Sequence, residues 1–450
     1  MKWQVIKMPN FPRLLYCLAN SMRRLRWDRD KLRRYQEKQL RSVIQYAYRY
    51  VPFYHNIFKE LKIGPADIKT REDLAKLPIL RKEEFRRENP VRLISTGFDI
   101  KNLKAIRTSG STGQPFRIYV NRAEDDSRKA IYMRANISCG QKPRDRWAVI
   151  TAPHHFFDTT SIQRRLGIYA QTCVSLFSSL NEQIRVVSET KPDVLDGYSG
   201  SLLLFAKEVK RRGLKTIRPR IIFGTADLMD FASRQFMEDV FEAPYYDQFG
   251  CGELDRTAWQ CPEKMEYHID ADSVIMEFVG ENGEEVSSGE RGEIVYTSLI
   301  HYAQPLIRYA VGDVGVPVDG ECPCGRKLPL MKLVEGRRDS FLVLRDGREL
   351  SPMTFWTIMR LFKYAGDIDK FRVIQKESDL IEIYVKKENP NIKEDFLEMK
   401  LVEHIEKCLN IAESSSTTFN IRFVEEIPVD KSGKLRSVIS LLRQSNSSLN

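Results

Sequence analysis

The spacing of apolar and polar positions changes character three times along the chain. Residues 1 to about 95 read as helical: in "DRDKLRRYQEKQLRSVIQYAYRYVPFYHNIFKEL" apolar side chains return every three or four positions, and Pro78 and Pro90 interrupt the pattern. From about 103, short strand-like runs follow one another: "LKAIRTSG", "RWAVITAP", "TCVSLFSS", "PDVLDGYS", "RPRIIFGTA" and "APYYDQFG". Helical stretches such as "GSLLLFAKEVKRRG" lie between them. That alternation predicts α/β architecture. From about 265, strands with glycine turns take over ("SVIMEFVGENGEEV", "RGEIVYTSL"), which predicts a β-rich subdomain over 265–336. After "EGRRD" the pattern restarts with "FRVIQKESDLIEIYVKKE", the helical "IKEDFLEMKLVEHIEKCL" and the strand-like "FNIRFVEEIP". The expected fold is therefore α/β. A large N-terminal domain over 1–336 has sheets flanked by helices, and a small α+β C-terminal lid covers 340–450, with a hinge near 337–339. No internal repeat appears.

Composition narrows the class without naming it. With 450 residues, 42% hydrophobic and 30% charged, the chain is long enough for a large and a small globular domain. No apolar run approaches the ~18 residues of a spanning helix. The run "LLYCLA" follows two prolines and is too short for a signal peptide. Eight cysteines are too sparse for a disulfide scaffold, so reduced thiols and a cytoplasmic location are expected. The net charge of +11 favours polyanionic partners and is concentrated early, in Arg13, Arg23, Arg24, Arg26, Arg29, Lys31, Arg33 and Arg34. Phe11, Leu14, Leu15, Leu18, Met22 and Leu25 are interleaved at helical spacing. First, this predicts a basic helix packed on its own domain; second, peripheral attachment to a membrane surface. No nucleic-acid partner is expected, since no ribonucleoprotein motif or zinc-finger spacing is present.

The densest chemistry is in "RTSGSTGQPFRIYV". Thr108, Ser109, Gly110, Ser111, Thr112 and Gly113 make either a flexible connector or a backbone that wraps an oxygen-rich group, with N–H and hydroxyl donors turned inward. The P-loop spacing is absent. Further on come "FGTADLMD", "YYDQFGCGELD", "PLIRYAVGDVG", "EGRRDSFLVLRDGRELSP" and "EEIPVDKSGKLRSVIS". Alone, Gly224, Thr225 and Ala226 read as a strand-to-helix turn, Gly312-Asp313 as a hairpin turn, and Lys434 as part of a basic exposed loop.

In this order the motifs resemble those of adenylate-forming enzymes, in particular the phenylacetate–coenzyme A ligase branch and its CapK-type relatives in capsular polysaccharide biosynthesis. The likeness runs from about residue 50 to 440. It implies that residues 108–113 cover the ATP phosphates, that Gly224, Thr225 and Ala226 line the adenine side, and that Phe249, followed by Gly250, lies against the adenine face. It further implies that Glu253 helps hold Mg²⁺, that Asp313 accepts from the ribose hydroxyls, and that Arg337 adds a ribose or phosphate contact. Asp339 would be the hinge, and Lys434 the catalytic lysine bridging substrate carboxylate and α-phosphate. Gln114 stands where many relatives carry lysine, and Gly252 where the pattern has threonine. "TAPHHFFD" and "DGYSGSLL" fall where the family shapes its acyl pocket, so His154, His155, Phe156, Phe157 and Tyr198 are candidate linings for a flat or aromatic acid.

The implied function is AMP-forming activation of a small-molecule carboxylic acid by ATP, then acyl transfer to a thiol, coenzyme A. An alternative keeps the adenylation and transfers to an amine or hydroxyl in polysaccharide or cell-envelope synthesis. A reading of another class is a degenerate nucleotide-binding scaffold, which Gln114, Gly252 and Ala310 favour. Separately, Cys261 and His268 in "WQCPEKMEYHID" and Cys322 and Cys324 in "GECPCGRKLP" offer three thiolates and an imidazole, a closed tetrahedral set suited to structural Zn²⁺. Similar positions occur in the phenylacetate ligase branch; the competing picture is four unrelated reduced side chains. Cys17, Cys139, Cys173 and Cys408 read as packing residues, and Cys251 lacks a paired histidine. The acid's identity, the acceptor and the oligomeric state are not encoded in any of these motifs.

Overall fold

The computed structural model describes residues 11–107, 117–153, 156, 161–226, 228–229, 231–263, 265–280, 282–333, 342–346, 348–350, 352–377, 379–411, 417–427 and 438–441. They fall into two compact units, one drawn from 1–108, 116–140 and 248–334, the other from 141–247 and 335–450.

The first unit begins with the helices Phe11–Arg24, Arg29–Tyr50 and Pro52–Leu61. Asp28 caps the second by accepting from the Lys31 N–H, and Pro52 opens the third, where a missing N–H is harmless. Leu32, Leu40, Val43, Ile44 and Ala47 are the buried stripe that the spacing predicts. The basic first helix packs on the helix Arg122–Ser138. It buries Leu14, while Phe11, Leu15 and Tyr16 remain exposed. Arg134 is fully buried in that second helix and is neutralised by Asp270 and Asp272; Arg24 also reaches Asp272, and Arg256 reaches Asp270.

The sheet of this unit is antiparallel from neighbour to neighbour: Val274–Val279, Gly292–Ser298, Tyr309–Val318, Leu330–Leu333, Tyr267–Ile269, Asp255–Gln260 and the end of Tyr245–Cys251. The two-residue strand Leu80–Arg81 joins it in parallel, Leu80 opposite Tyr309 and Arg81 opposite Ala310. Gly312-Asp313 is not a hairpin turn. It lies inside Tyr309–Val318, where the register with Gly292–Ser298 shifts, so Val311 to Asp313 bulge from the ladder.

In the second unit, Gln171–Ser175, Trp147–Thr151, Val194–Tyr198 and Ile221–Thr225 form parallel neighbours in that order. The middle strands are buried on both faces, Trp147–Thr151 as an apolar run and Val194–Tyr198 with Asp196 enclosed in it. Helices Leu180–Thr190, Ser199–Arg211 and Phe231–Phe241 accompany them. The C-terminal part has a four-stranded sheet ordered Thr418–Phe423, Leu380–Lys387, Ile368–Glu377, Val438–Ser440, with helices Pro352–Leu361 and Glu394–Leu409. Leu397, Leu401, Ile405 and Leu409 carry the inner face of the last helix into a core with Phe371, Val373, Ile381 and Ile383. The α/β class expected from the sequence is the class observed. Among the described residues no helix is long and apolar enough to cross a membrane.

Candidate functional site

Glu253 sits in the turn that joins Tyr245–Cys251 to Asp255–Gln260. It is 3% exposed, yet it is a carboxylate, so something must compensate its lost hydration. Two groups do. Lys82 donates from Nζ to Oε1 at 3.1 Å, and the Tyr309 hydroxyl donates to the same oxygen at 3.0 Å. Lys82 is itself 8% exposed and Tyr309 0%. Their meeting follows from the fold: the bridge of Leu80–Arg81 to Tyr309 and Ala310 ends one residue before Lys82, which begins the helix Lys82–Arg87. Burial pushes the Glu253 carboxyl up, but the Lys82 ammonium outweighs it and holds the group below its ordinary value. The site keeps an ionised carboxylate in the interior.

Asp313 is brought to the same neighbourhood. The Cys251 thiol is pushed far up, by burial first and then by the charges of Glu253 and Asp313. Tyr296 is raised by burial and then by Asp313. Cys251 is therefore a protonated thiol beside two acids, with no nucleophilic character. Phe249, opposite Ala258, is half-buried and Gly250 is exposed. The register shifts between them, and a Cβ on Gly250 would stand 2.0 Å from the Asp255 carbonyl oxygen, so only glycine lets the two strands approach this closely.

In the second unit Gly224 and Thr225 end their strand, and Ala226 follows at φ 76°, in the left-handed region. A Cβ on Gly224 would fall 1.9 Å from the Tyr245 hydroxyl. That hydroxyl pairs with Ser199 Oγ at 2.8 Å, and Ser199 Oγ donates to the Thr225 carbonyl at 3.1 Å. A small polar cluster thus sits at the carboxyl ends of parallel strands, the usual place for a ligand in such sheets. Of the acyl-pocket candidates, Tyr198 is buried and Phe156 exposed. Thr108, Ser109, Gly110, Ser111, Thr112, Gly113, Gln114, His154, His155, Phe157, Arg337, Asp339 and Lys434 lie outside the described residues.

The four proposed zinc ligands converge. Their ligand atoms all lie within 4.8 Å of one another. Cys261 Sγ is 3.3 Å from Cys322 Sγ, and Cys324 Sγ is 3.3 Å from His268 Nε2. Zn–S bonds of ~2.3 Å in a tetrahedron put ligand atoms about 3.8 Å apart, so the set fits the ion with small adjustments. Burial lowers His268 to about 4, which keeps the imidazole in its neutral, metal-binding form. Burial also raises Cys261 and Cys322. In Cys324, burial is outweighed by donors around Arg326, and its thiol is lowered.

Lys82, Tyr309, Ser199 and Tyr245 were not singled out by sequence. Lys82 stands in "LRKEEFRR", which looks like a solvated charge run, and its partner is 171 positions away. Nothing one-dimensional marks it.

Comparison with known proteins adds the following. Residues 347–441 match the model of the CapK C-terminal domain. The chain is 24% identical to a phenylacetate–coenzyme A ligase of Thermus thermophilus over 330 residues, 70% of this chain and 73% of the relative. It is 26% identical to the enzyme of that name from Aromatoleum evansii over 328 residues, 71% of this chain and 73% of the relative. A structure of 2-hydroxyisobutyryl-CoA ligase in complex with 2-HIB-AMP and CoA, in its thioesterification state, matches 100% of this chain and 98% of its own, with TM-score 0.65 at 19% identity. A postadenylation-state structure of that ligase gives TM-score 0.61 at 18% identity, covering 100% and 97%. The chain has the fold of the adenylate-forming enzymes.

Proposed function

We propose that this protein is an AMP-forming acid–thiol ligase. A carboxylate oxygen of the acid attacks the α-phosphorus of ATP, the bond to the β-phosphate breaks, and pyrophosphate leaves. A thiolate, that of coenzyme A, then attacks the acyl carbon; the bond to AMP breaks and a thioester forms. The observation that carries this reading is the turn after Phe249 and Gly250, which holds a buried, ionised Glu253 close to Asp313. Such a carboxylate suits a hard divalent cation, and the matches to phenylacetate–coenzyme A ligases supply the reaction class.

In this reading Glu253 would hold Mg²⁺, which would supply charge neutralisation for the transferring phosphates. Asp313 accepts from the ribose hydroxyls, Phe249 and residues 224–226 flank the adenine, and residues 108–113 donate to the phosphates. Arg337 adds a nucleotide contact. Lys434 stabilises the charge at the α-phosphate and is withdrawn when residues 340–450 swing about Asp339, so that one pocket serves two transition states. Cys261, His268, Cys322 and Cys324 hold a structural Zn²⁺. A second reading, adenylation with transfer to an amine or hydroxyl, is favoured by the match of residues 347–441 to the CapK C-terminal domain.

Pyrophosphate release over a panel of carboxylic acids, with and without coenzyme A, tests both. Sustained, acid-dependent release that requires coenzyme A is the expected result. Release sustained without it supports the second reading, and silence over a broad panel sinks the adenylation chemistry.

A further inference from the structure

We infer that Lys82 is a positioning residue of the nucleotide site: its ammonium, with the Tyr309 hydroxyl, holds Oε1 of Glu253 and so fixes how that carboxylate meets a metal. The inference rests on the proposal that Glu253 binds Mg²⁺.

Both side-chain donors converge on Oε1, at 3.1 and 3.0 Å, and the backbone N–H of Glu253 also bonds its carboxylate. A carboxylate that is free to turn can bind a cation through one oxygen or both. With Oε1 occupied by two donors from different elements, the carboxylate plane is fixed and the bidentate mode is closed. The scaffold under Lys82 is rigid. Arg81 is bridged to Ala310, Glu84 accepts from the Arg81 N–H at 2.8 Å, and Phe85 packs edge-on to the Tyr309 ring at 5.3 Å. Lysine is almost never fully buried unless paired. A buried ion pair adds little stability over an apolar replacement, so stability alone does not account for this one.

The test uses the full chain with ATP as probe, its binding measured by calorimetry across a Mg²⁺ titration and in EDTA. In Lys82→Met the gain in ATP affinity from Mg²⁺ should fall by about 10- to 100-fold, the range for loss of a group that orients a metal ligand. Binding in EDTA should change little. Lys82→Arg should restore most of the Mg²⁺ gain, and adding Lys82→Met to Glu253→Gln should cost nothing beyond Glu253→Gln alone. Should Lys82→Met not fold, Lys82→Gln, which also lacks the charge, takes its place in the same titration. An unchanged Mg²⁺ gain in folded Lys82→Met or Lys82→Gln, or additive loss in the double variant, overturns the inference while leaving the ligase reading intact. Wild-type protein that binds no Mg·ATP overturns both.

Discussion

Around Glu253, a negative charge meets a positive one and a hydroxyl donor. Around Cys261, three thiols and an imidazole meet, with Arg326 reaching only the Cys324 side of the set. Both clusters are largely buried and lie in the same unit. The first is complete on protein atoms alone: Lys82 keeps Glu253 ionised, and the pair exists before any ligand binds. The second is complete only when something positive enters, because burial raises two of its thiols and ionising them costs more still without a counter-ion. On the proposed roles, the difference would separate a group organised to receive a visiting metal from one organised to keep a resident metal.

The largest effect should come from the cluster that is incomplete by itself. Cys322→Ser removes a central ligand, and we expect zinc content to fall from one per chain to near zero with a stability loss above about 4 kcal/mol, the range reserved for loss of a metal or a buried network. Elemental analysis and thermal melting check this. Metal-free wild-type protein with unchanged melting and freely titrating thiols would return the four side chains to ordinary packing residues.

A histidine outside both clusters gives the next effect. His301 is fully buried, with Nδ1 2.7 Å from Ser298 Oγ, and burial, aided by Arg128, lowers it to about 3. The unfolded chain therefore takes up this proton first as pH falls below about 6.5. Stability from the neutral imidazole is fully present above that pH and drains away towards pH 3 at about 1.4 kcal/mol per pH unit. His301→Gln should flatten the acid limb of zinc-loaded protein by that slope. An unchanged limb would mean that His301 is already charged in the native state.

Much of the fold was legible in the chain, because most of it is built from apolar patterns. "RIIFGTA" reads as a buried strand and is one; Leu397, Leu401, Ile405 and Leu409 mark a helix face by their spacing. The cysteine–histidine set was legible because few chemistries use those residue types together. The pairs that organise the interior were not. In the helix Arg122–Ser138, Glu124, Asp126, Arg128 and Arg134 are all buried, the inverse of the amphipathic rule. Arg134 is paired with Asp270 and Asp272, 136 and 138 positions along the chain. Periodicity reports which faces are apolar. It cannot report that a charged residue will find an opposite charge over a hundred positions away, since that meeting is decided by strand pairing. Leu80 opposite Tyr309 is the example nearest the site.

The smallest effect divides the first cluster against itself. Tyr309→Phe removes one of the two donors to Glu253 Oε1 and keeps the ammonium, the ring and its edge contact with Phe85. The lost hydrogen bond to a charged group is worth about 1.5–3 kcal/mol at most, and less where water or Lys82 takes up the freed lone pair. Because the charge compensation stays, Glu253 should remain ionised, and the Mg²⁺-dependent gain in ATP affinity should drop only a few-fold, well short of the fall in Lys82→Met. If the two variants lose the same gain, then it is the orientation of Oε1, not the neutralising charge, that prepares the carboxylate. If Tyr309→Phe loses more, the phenol is the principal support and Lys82 the auxiliary one. Measured side by side, the two variants show whether this site is held by charge or by direction.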